Sequence, residues 1–355
     1  MPLLRRLAVA GLLVLAAGCA GLDAGRLAQQ RLALHPVALE ELEGTAFAGF
    51  RTPAQWDEAG GLYLLEPYRP GAVPVVLVHG LVSDPSTWAE MHAALRADPA
   101  VADRFQFWAF SYATGRSYLD SAARLREELC RVRKGLDPAG ADAALSRVVL
   151  VGHSMGGLVS RLQVTHSGEA LSRIVYEGSL DDLALDVGVR AGLERATRFL
   201  PQPGVTRAVY IAAPHRGSDE ASGRLAKIGR RLVTFPAPMR AGYEALRRGP
   251  AGQLMRLPPR PPTSVDLLEP GHPVLCAVAS LPTGAGVSEH TILGVGERTR
   301  GAGRCGDGYV SARSASLPWA TSELRLEGAH TEVHRLPAAA AEVRRILMRH
   351  LAEGA

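Results

Sequence analysis

Lysine is almost absent from this 355-residue chain: Lys134 and Lys227 are the only two, and arginine supplies the rest of the positive charge. The net charge of +5 therefore reflects an arginine-rich composition and not a nucleic-acid face. Aromatic residues make up only 5% of the chain, and no nucleic-acid motif accompanies the arginines. Nucleic acid is thus not an expected partner. Cysteine is scarce as well: Cys19, Cys130, Cys276 and Cys305 complete the set. None of them stands with histidine at zinc-ligand spacing, and no glycine-rich loop of the P-loop type occurs. No metal and no organic cofactor is expected. The apolar run from Leu7 to Gly18 is 12 residues long, short of the roughly 18–20 that a membrane-spanning helix needs.

That run reads instead as the core of a signal peptide over residues 1–18, with Arg5 and Arg6 as its positive start. It ends in Leu15-Ala16-Ala17-Gly18-Cys19, which resembles the bacterial lipobox, with Ala16 a departure from the more usual leucine. The resemblance implies cleavage before Cys19, lipidation of that cysteine and a stable membrane anchor. Ala20 after it favours the periplasmic face of the outer membrane. Plain cleavage near Ala17 or Ala20 is the alternative. Residues 19–58 then form a lipidated N-terminus and an irregular tether, and residues 59–355 the folded domain. Removing residues 1–18 leaves 337, enough for one large core or a core with a cap. An oxidising envelope permits one disulfide among the three remaining cysteines. Cys276 and Cys305 flank the same late strand and are the expected pair; Cys130 is expected to be buried in a helix.

The most informative stretch is Gly152-His153-Ser154-Met155-Gly156-Gly157. It follows the apolar run Arg147–Val151, of buried-strand type, and precedes Leu158-Val159-Ser160-Arg161-Leu162, a helix start. Strand, Gly-x-Ser-x-Gly, helix is the nucleophile-elbow pattern. A serine hydroxyl is a weak nucleophile and must be thrust out of a sharp turn to meet a base. That turn crowds the positions two before and two after it, where glycine fits. Ser154 is the candidate nucleophile.

An acid and a histidine are expected downstream in that order. Gly306-Asp307-Gly308-Tyr309-Val310 places Asp307 beyond the strand Thr291–Gly296. Ser322–Leu326 alternates as a further strand and leads into Gly328-Ala329-His330-Thr331-Glu332-Val333-His334. His330, nearer the strand end, is preferred over His334 as the base; Asp219 is the fallback acid. Upstream, the strand Val75–Val78 runs into His79-Gly80-Leu81. Acyl transfer needs two backbone N–H donors for the oxyanion. Met155 N–H and Leu81 N–H are the candidates, and His79 is expected to orient their loop without reacting.

These blocks, together with Ala213-Pro-His-Arg-Gly-Ser218 and Glu289–Gly294, resemble the α/β-hydrolase superfamily, in its lipase- and esterase-like branch. The pattern is similar to bacterial lipoprotein hydrolases and to PGAP-type deacylase-like proteins, over roughly residues 60–350. The resemblance implies an α/β fold, a doubly wound, mostly parallel sheet with a helical cap. Alternating strands and helices point to the same sheet. Residues 178–204 and 218–270 interrupt the alternation, and the proline-rich second stretch suits a cap. From 221 to 265 it carries nine basic residues and one acid, Glu244. Leu225, Ile228, Leu232 and Phe235 follow helical spacing there, with Arg224, Lys227, Arg230 and Arg231 between them; packing on the core is favoured over lying on a lipid surface.

The expected activity is serine hydrolysis of carboxylic esters, lipid esters included, through Ser154, His330 and Asp307 and an acyl-enzyme. An acyltransferase or amidase uses the same groups. A non-catalytic envelope lipoprotein that binds a ligand or partner is the alternative of another class.

Overall fold

The computed structural model describes residues 24–44, 46–56, 59–218, 233–299 and 303–353. The signal segment, Cys19, Asp219 and the stretch 224–232 lie outside the described residues.

The strands are β1 (Gly61–Leu64), β2 (Val73–Val78), β3 (Phe105–Ser111), β4 (Val148–His153), β5 (Val205–Ile211), β6 (Ser288–Val295), β7 (Glu297–Thr299), β8 (Gly303–Gly306) and β9 (Ser322–Glu327). Seven of them form one sheet in the order β1-β3-β2-β4-β5-β6-β9. Only β1 is antiparallel to its neighbour; every other pairing is parallel. Parallel strands need crossover helices on both faces, so both faces are buried and the strands read as apolar runs. In β2, Val76 and Val78 enter one core and Val73, Val75 and Leu77 the other. At the open edge, β9 changes to alternation, with Leu324 and Leu326 turned in and Glu323 and Arg325 exposed. Charges there discourage a further strand from pairing.

The longer helices are α1 (Ala24–Leu32), α2 (Ala89–Arg96), α3 (Tyr118–Leu136), α4 (Met155–Val164), α5 (Val187–Thr197), α6 (Ala237–Arg248), α7 (Pro273–Ser280) and α8 (Pro337–Glu353). On one face, α3 packs Ala122, Leu125, Leu129 and Val132 against the sheet beside Leu158 and Leu162 of α4. On the other, α2 and α8 supply Met91, Leu95, Val343, Ile346 and Leu347. Each such fully buried side chain contributes about 1.5–3 kcal/mol. Ser117 caps α3 by accepting from Leu119 N–H, and Arg133 and Lys134 sit in its last turn, where the helix dipole favours cations.

Several sequence expectations are corrected here. Residues 24–56, expected as an irregular tether, pack on the sheet: Leu27, Val37, Leu39 and Leu42 belong to the second core. Arg31 also pairs with the buried Glu128 at 2.7 Å. Thr87 is buried, and Asp84 caps the turn Pro85–Trp88, accepting from Ser86 N–H. Cys130 is exposed, because the apolar stripe of α3 runs through Leu125 and Leu129 and leaves position 130 on the outer side. Cys276 and Cys305 are both free and exposed, so the expected disulfide is absent. Cys305 lies in the separate two-stranded β7–β8 hairpin, and Cys276 on the outer side of α7, whose inner residues are Val274, Leu275 and Val278.

The two insertions pack on each other. Leu180 and Leu183 of the first and Ala251 and Met255 of the second share a small core apart from the main ones. Arg256 N–H also donates to Val175 O at 2.7 Å, tying the second insertion to the segment that leads into the first.

Candidate active site

The turn after β4 is strained. Ser154 adopts φ 53° and ψ −127°, a conformation that side chains rarely take. It is held there from both sides: Ser154 N–H donates to Ile211 O and its carbonyl accepts from Gly157 N–H, each at 2.9 Å. The helix α4 starts at the next residue. A Cβ on Gly156 would lie 2.2 Å from Val78 O, so only glycine lets α4 approach β2 this closely. In this strand order the chain leaves β2 toward β3 on one side and β4 toward β5 on the other, and ligands favour the carboxyl ends of strands at such a switch point. His79 and Ser154 stand at those ends.

The structure brings Ser154, His330 and Asp307 together. His330 Nε2 lies 2.8 Å from Ser154 Oγ, and His330 Nδ1 lies 2.7 Å from Asp307 Oδ2. The other carboxylate oxygen, Asp307 Oδ1, accepts from Tyr309 N–H at 3.0 Å and Val310 N–H at 2.7 Å. The Asp307 carbonyl accepts from His330 N–H at 2.8 Å. Asp307 is thus buried with both carboxylate oxygens engaged. Space for it exists because Gly294 of β6 lacks a side chain: a Cβ there would sit 2.6 Å from Asp307 Cβ. A carboxylate only accepts, so the His330 proton sits on Nδ1 and Nε2 is left to accept from the serine hydroxyl. The half-exposed Tyr309 ring tilts over His330 with centroids 5.3 Å apart.

His334 is directed elsewhere. Its Nε2 meets Thr87 Oγ1 at 2.7 Å, and burial pushes its pKa down to about 3. His153 donates from Nε2 to the His330 carbonyl at 2.9 Å, and burial, reinforced by His334, holds it neutral. Of this histidine cluster only His330 and His334 stood out in the sequence. His153 was visible as the variable position of the elbow, but nothing in the sequence signalled its contact with the later loop.

His79 does orient its loop. It stacks on Tyr112 with centroids 4.4 Å apart and donates from Nδ1 to Gly80 O at 3.0 Å. Leu81 is half-buried beside the serine turn, and its N–H donates to no acceptor among the described residues. Met155 is the first residue of α4, so its N–H has no partner within the helix. A hydroxyl, an imidazole and a buried carboxylate in series can move a proton off the serine as it attacks an acyl carbon. Among the described residues no group of three or more His, Cys, Asp or Glu side chains is placed to hold a metal ion, and no helix is long and apolar enough to cross a membrane.

The family model described as the alpha/beta hydrolase family matches residues 75–343. No curated protein matches the sequence. Among solved structures, the chain is similar to the mature lipase BlEst2 of Bacillus licheniformis at 18% identity, covering 81% of this chain and 97% of that one, with a TM-score of 0.47. A putative aryl esterase from Burkholderia cenocepacia shares 15% identity over 82% of this chain and 95% of its own, with a TM-score of 0.37. A thermophilic esterase from Thermogutta terrifontis shares 15% over 81% and 93%, again with a TM-score of 0.37.

Proposed function

The chain belongs to the alpha/beta hydrolase family, and on that footing we propose that it is a serine esterase of the cell envelope that cleaves carboxylic esters, lipid esters among them. The observation that carries this reading is the continuous hydrogen-bonded series Ser154 Oγ, His330, Asp307 at 2.8 and 2.7 Å, with the serine on a strained turn.

In this reading Ser154 Oγ bonds to the ester carbonyl carbon while its proton passes to His330 Nε2. Asp307 holds the ring in place and offsets the positive charge that it gains. The carbonyl oxygen becomes an oxyanion, met by Leu81 N–H and Met155 N–H. Collapse breaks the carbon–oxygen bond to the alcohol, which leaves with the proton from His330. Water, deprotonated by the same imidazole, then attacks the acyl-enzyme and frees the acid and Ser154. Anchoring through a lipidated Cys19 would hold the enzyme where lipid esters are concentrated.

Two measurements test the proposal together: covalent labelling by a fluorophosphonate probe, and turnover of p-nitrophenyl esters of graded chain length. Wild-type protein is expected to label and to turn over. Ser154→Ala is expected to do neither while keeping its circular dichroism spectrum, a rate loss on the order of 10⁴ to 10⁶. Labelling that persists in the alanine variant overturns the assignment of the nucleophile. A chain-length series with no turnover at any length overturns the ester substrate class.

A further inference from the structure

The side chains of His79 and Thr114 hold the two peptide bonds on either side of Leu81. The preceding peptide carries the Gly80 carbonyl, which accepts from His79 Nδ1 at 3.0 Å. In a trans peptide the C=O and N–H point in opposite directions. Fixing Gly80 O therefore fixes the direction of Leu81 N–H, and a donor on the carbonyl polarises that N–H further. His79 is itself set: its Nε2 accepts from Tyr112 N–H at 3.4 Å, and Tyr112 Oη donates to His79 O at 2.7 Å. Burial keeps it neutral, with a pKa pushed down to about 4, so Nδ1 is the donor.

The following peptide carries Val82 N–H, which donates to Thr114 Oγ1 at 3.2 Å. Val82 has φ 52°. A β-branched residue resists that left-handed backbone and holds it only when its surroundings impose it. Thr114 supplies such a restraint. It is fully buried, and its carbonyl accepts from Ser264 Oγ at 2.5 Å. Ser264 is also fully buried, and it opens the short helix Ser264–Leu267 on the return leg of the second insertion. The chain of contacts thus runs from that insertion through Thr114 to the loop beside Ser154.

We propose that Thr114 is a positioning residue for the oxyanion donor: with His79 it clamps the two peptides around Leu81, and through Ser264 it couples that donor to the second insertion. The inference rests on the serine-esterase reading above. Thr114→Val keeps the shape and removes the acceptor. The oxyanion forms only as the transition state is approached, so a misaimed donor lowers kcat and leaves KM alone. Removing such a donor outright costs about 10²–10³ in kcat, and tilting it is expected to cost about 10- to 100-fold.

The test measures kcat and KM on a p-nitrophenyl ester, and the affinity for a trifluoromethyl ketone, whose serine adduct places an oxyanion in the same position. Thr114→Val is expected to lower kcat and ketone affinity by similar factors with KM within about twofold. Thr114→Ser, which restores the hydroxyl, is expected to recover most of both. Ser264→Ala, one contact further out, is expected to show a smaller loss of the same kind. It carries the test if Thr114→Val does not fold. Normal kcat and ketone affinity in Thr114→Val overturns the proposal, as does a Thr114→Ser variant no better than the valine. An unaffected Ser264→Ala overturns the coupling to the insertion. Failure of the esterase reading looks different: the wild-type protein itself would neither turn over esters nor label with fluorophosphonate.

Discussion

His334 stacks on His153 with ring centroids 4.0 Å apart, and the same His153 donates to the backbone carbonyl of His330. His334 therefore supports the histidine loop from behind while His330 faces the serine. Two histidines four residues apart thus carry separate duties. His330→Ala is expected to match Ser154→Ala, with a loss of about 10⁴ to 10⁶ in kcat. His334→Ala is expected to lose less than about tenfold in kcat. It removes a buried ring that also meets Trp88 edge-on, so it lowers stability by about 2–4 kcal/mol, in the range of other large buried truncations. Ester turnover and urea denaturation of both variants check this. The reverse order of activity losses would give His334 the role of base.

Asp307→Asn tests how the carboxylate sets the imidazole. The Tyr309 and Val310 amides donate to Oδ1, so an asparagine at 307 is expected to turn its oxygen toward them. Its NH₂ group then faces His330 Nδ1. That nitrogen must accept, the ring proton moves to Nε2, and the serine hydroxyl loses its base. A loss on the order of 10⁴ in kcat with an unchanged fold is expected, measured by steady-state kinetics beside thermal melting. Near-normal activity would remove Asp307 from the mechanism and turn attention to Asp219.

Stability is expected to fall on mild acidification, because several histidines are buried in the neutral form. Burial pushes His79 and His350 down to about 4 and His290 and His334 down to about 3. Two of them serve a cation as acceptors: Arg207 Nη1 lies 2.7 Å from His290 Nε2, and Arg207 Nε donates to His350 Nδ1 at 3.1 Å. In the unfolded chain each titrates near its ordinary value of about 6.5. Between that value and the folded one, the unfolded state binds more protons, so stability rises with pH. Its loss begins as pH falls below about 6.5 and is complete only near the folded values. Each such group costs up to about 2 kcal/mol at pH 5. Urea midpoints at pH 7.5 and pH 5 report it directly. The lowered carboxylates Glu244 and Glu353 act below their ordinary range and stay outside this window. Equal midpoints at the two pH values would show that these rings are not buried neutral.

Much of this molecule is legible in one dimension because its central strands are short and continuously apolar. β2 and β3, Val73–Val78 and Phe105–Ser111, are such runs, buried along their whole length. The elbow is legible because the turn itself demands its glycines. What escaped depends on partners far away in the chain. Leu27, Val37, Leu39 and Leu42 follow no single period, since they lie on short turns and a brief helix that cover the sheet together. The two insertions look like separate interruptions until Leu180 and Met255 are found in one small core. Thr87 has Glu90 at capping-box spacing, yet Asp84-Pro85 begins the turn and frees Thr87 to meet His334 across 247 positions. The left-handed backbone at Val82 has no sequence signal, because valine is among the residues least suited to it.

The proposed location rests on Arg5, Arg6, the apolar run Leu7–Gly18 and the junction Gly18-Cys19. Leu27, only a few residues after Cys19, already sits in the core, so little chain separates that cysteine from the packed domain. An acylated Cys19 would thus hold the enzyme close to the membrane surface. Each buried methylene of an acyl chain adds about 0.8 kcal/mol to partition, and several chains together make a stable anchor. In a Gram-negative host, wild-type protein is expected in the membrane fraction, labelled by a clickable fatty acid and beginning at a modified Cys19 by mass spectrometry. Cys19→Ser is expected to lose the label and leave that fraction, while the purified protein keeps its turnover of soluble p-nitrophenyl esters, since the proposed chemistry runs through Ser154, His330 and Asp307 alone. An unmodified N-terminus near Ala20 would mean a secreted enzyme without an anchor. A retained Met1 would overturn export by this segment altogether.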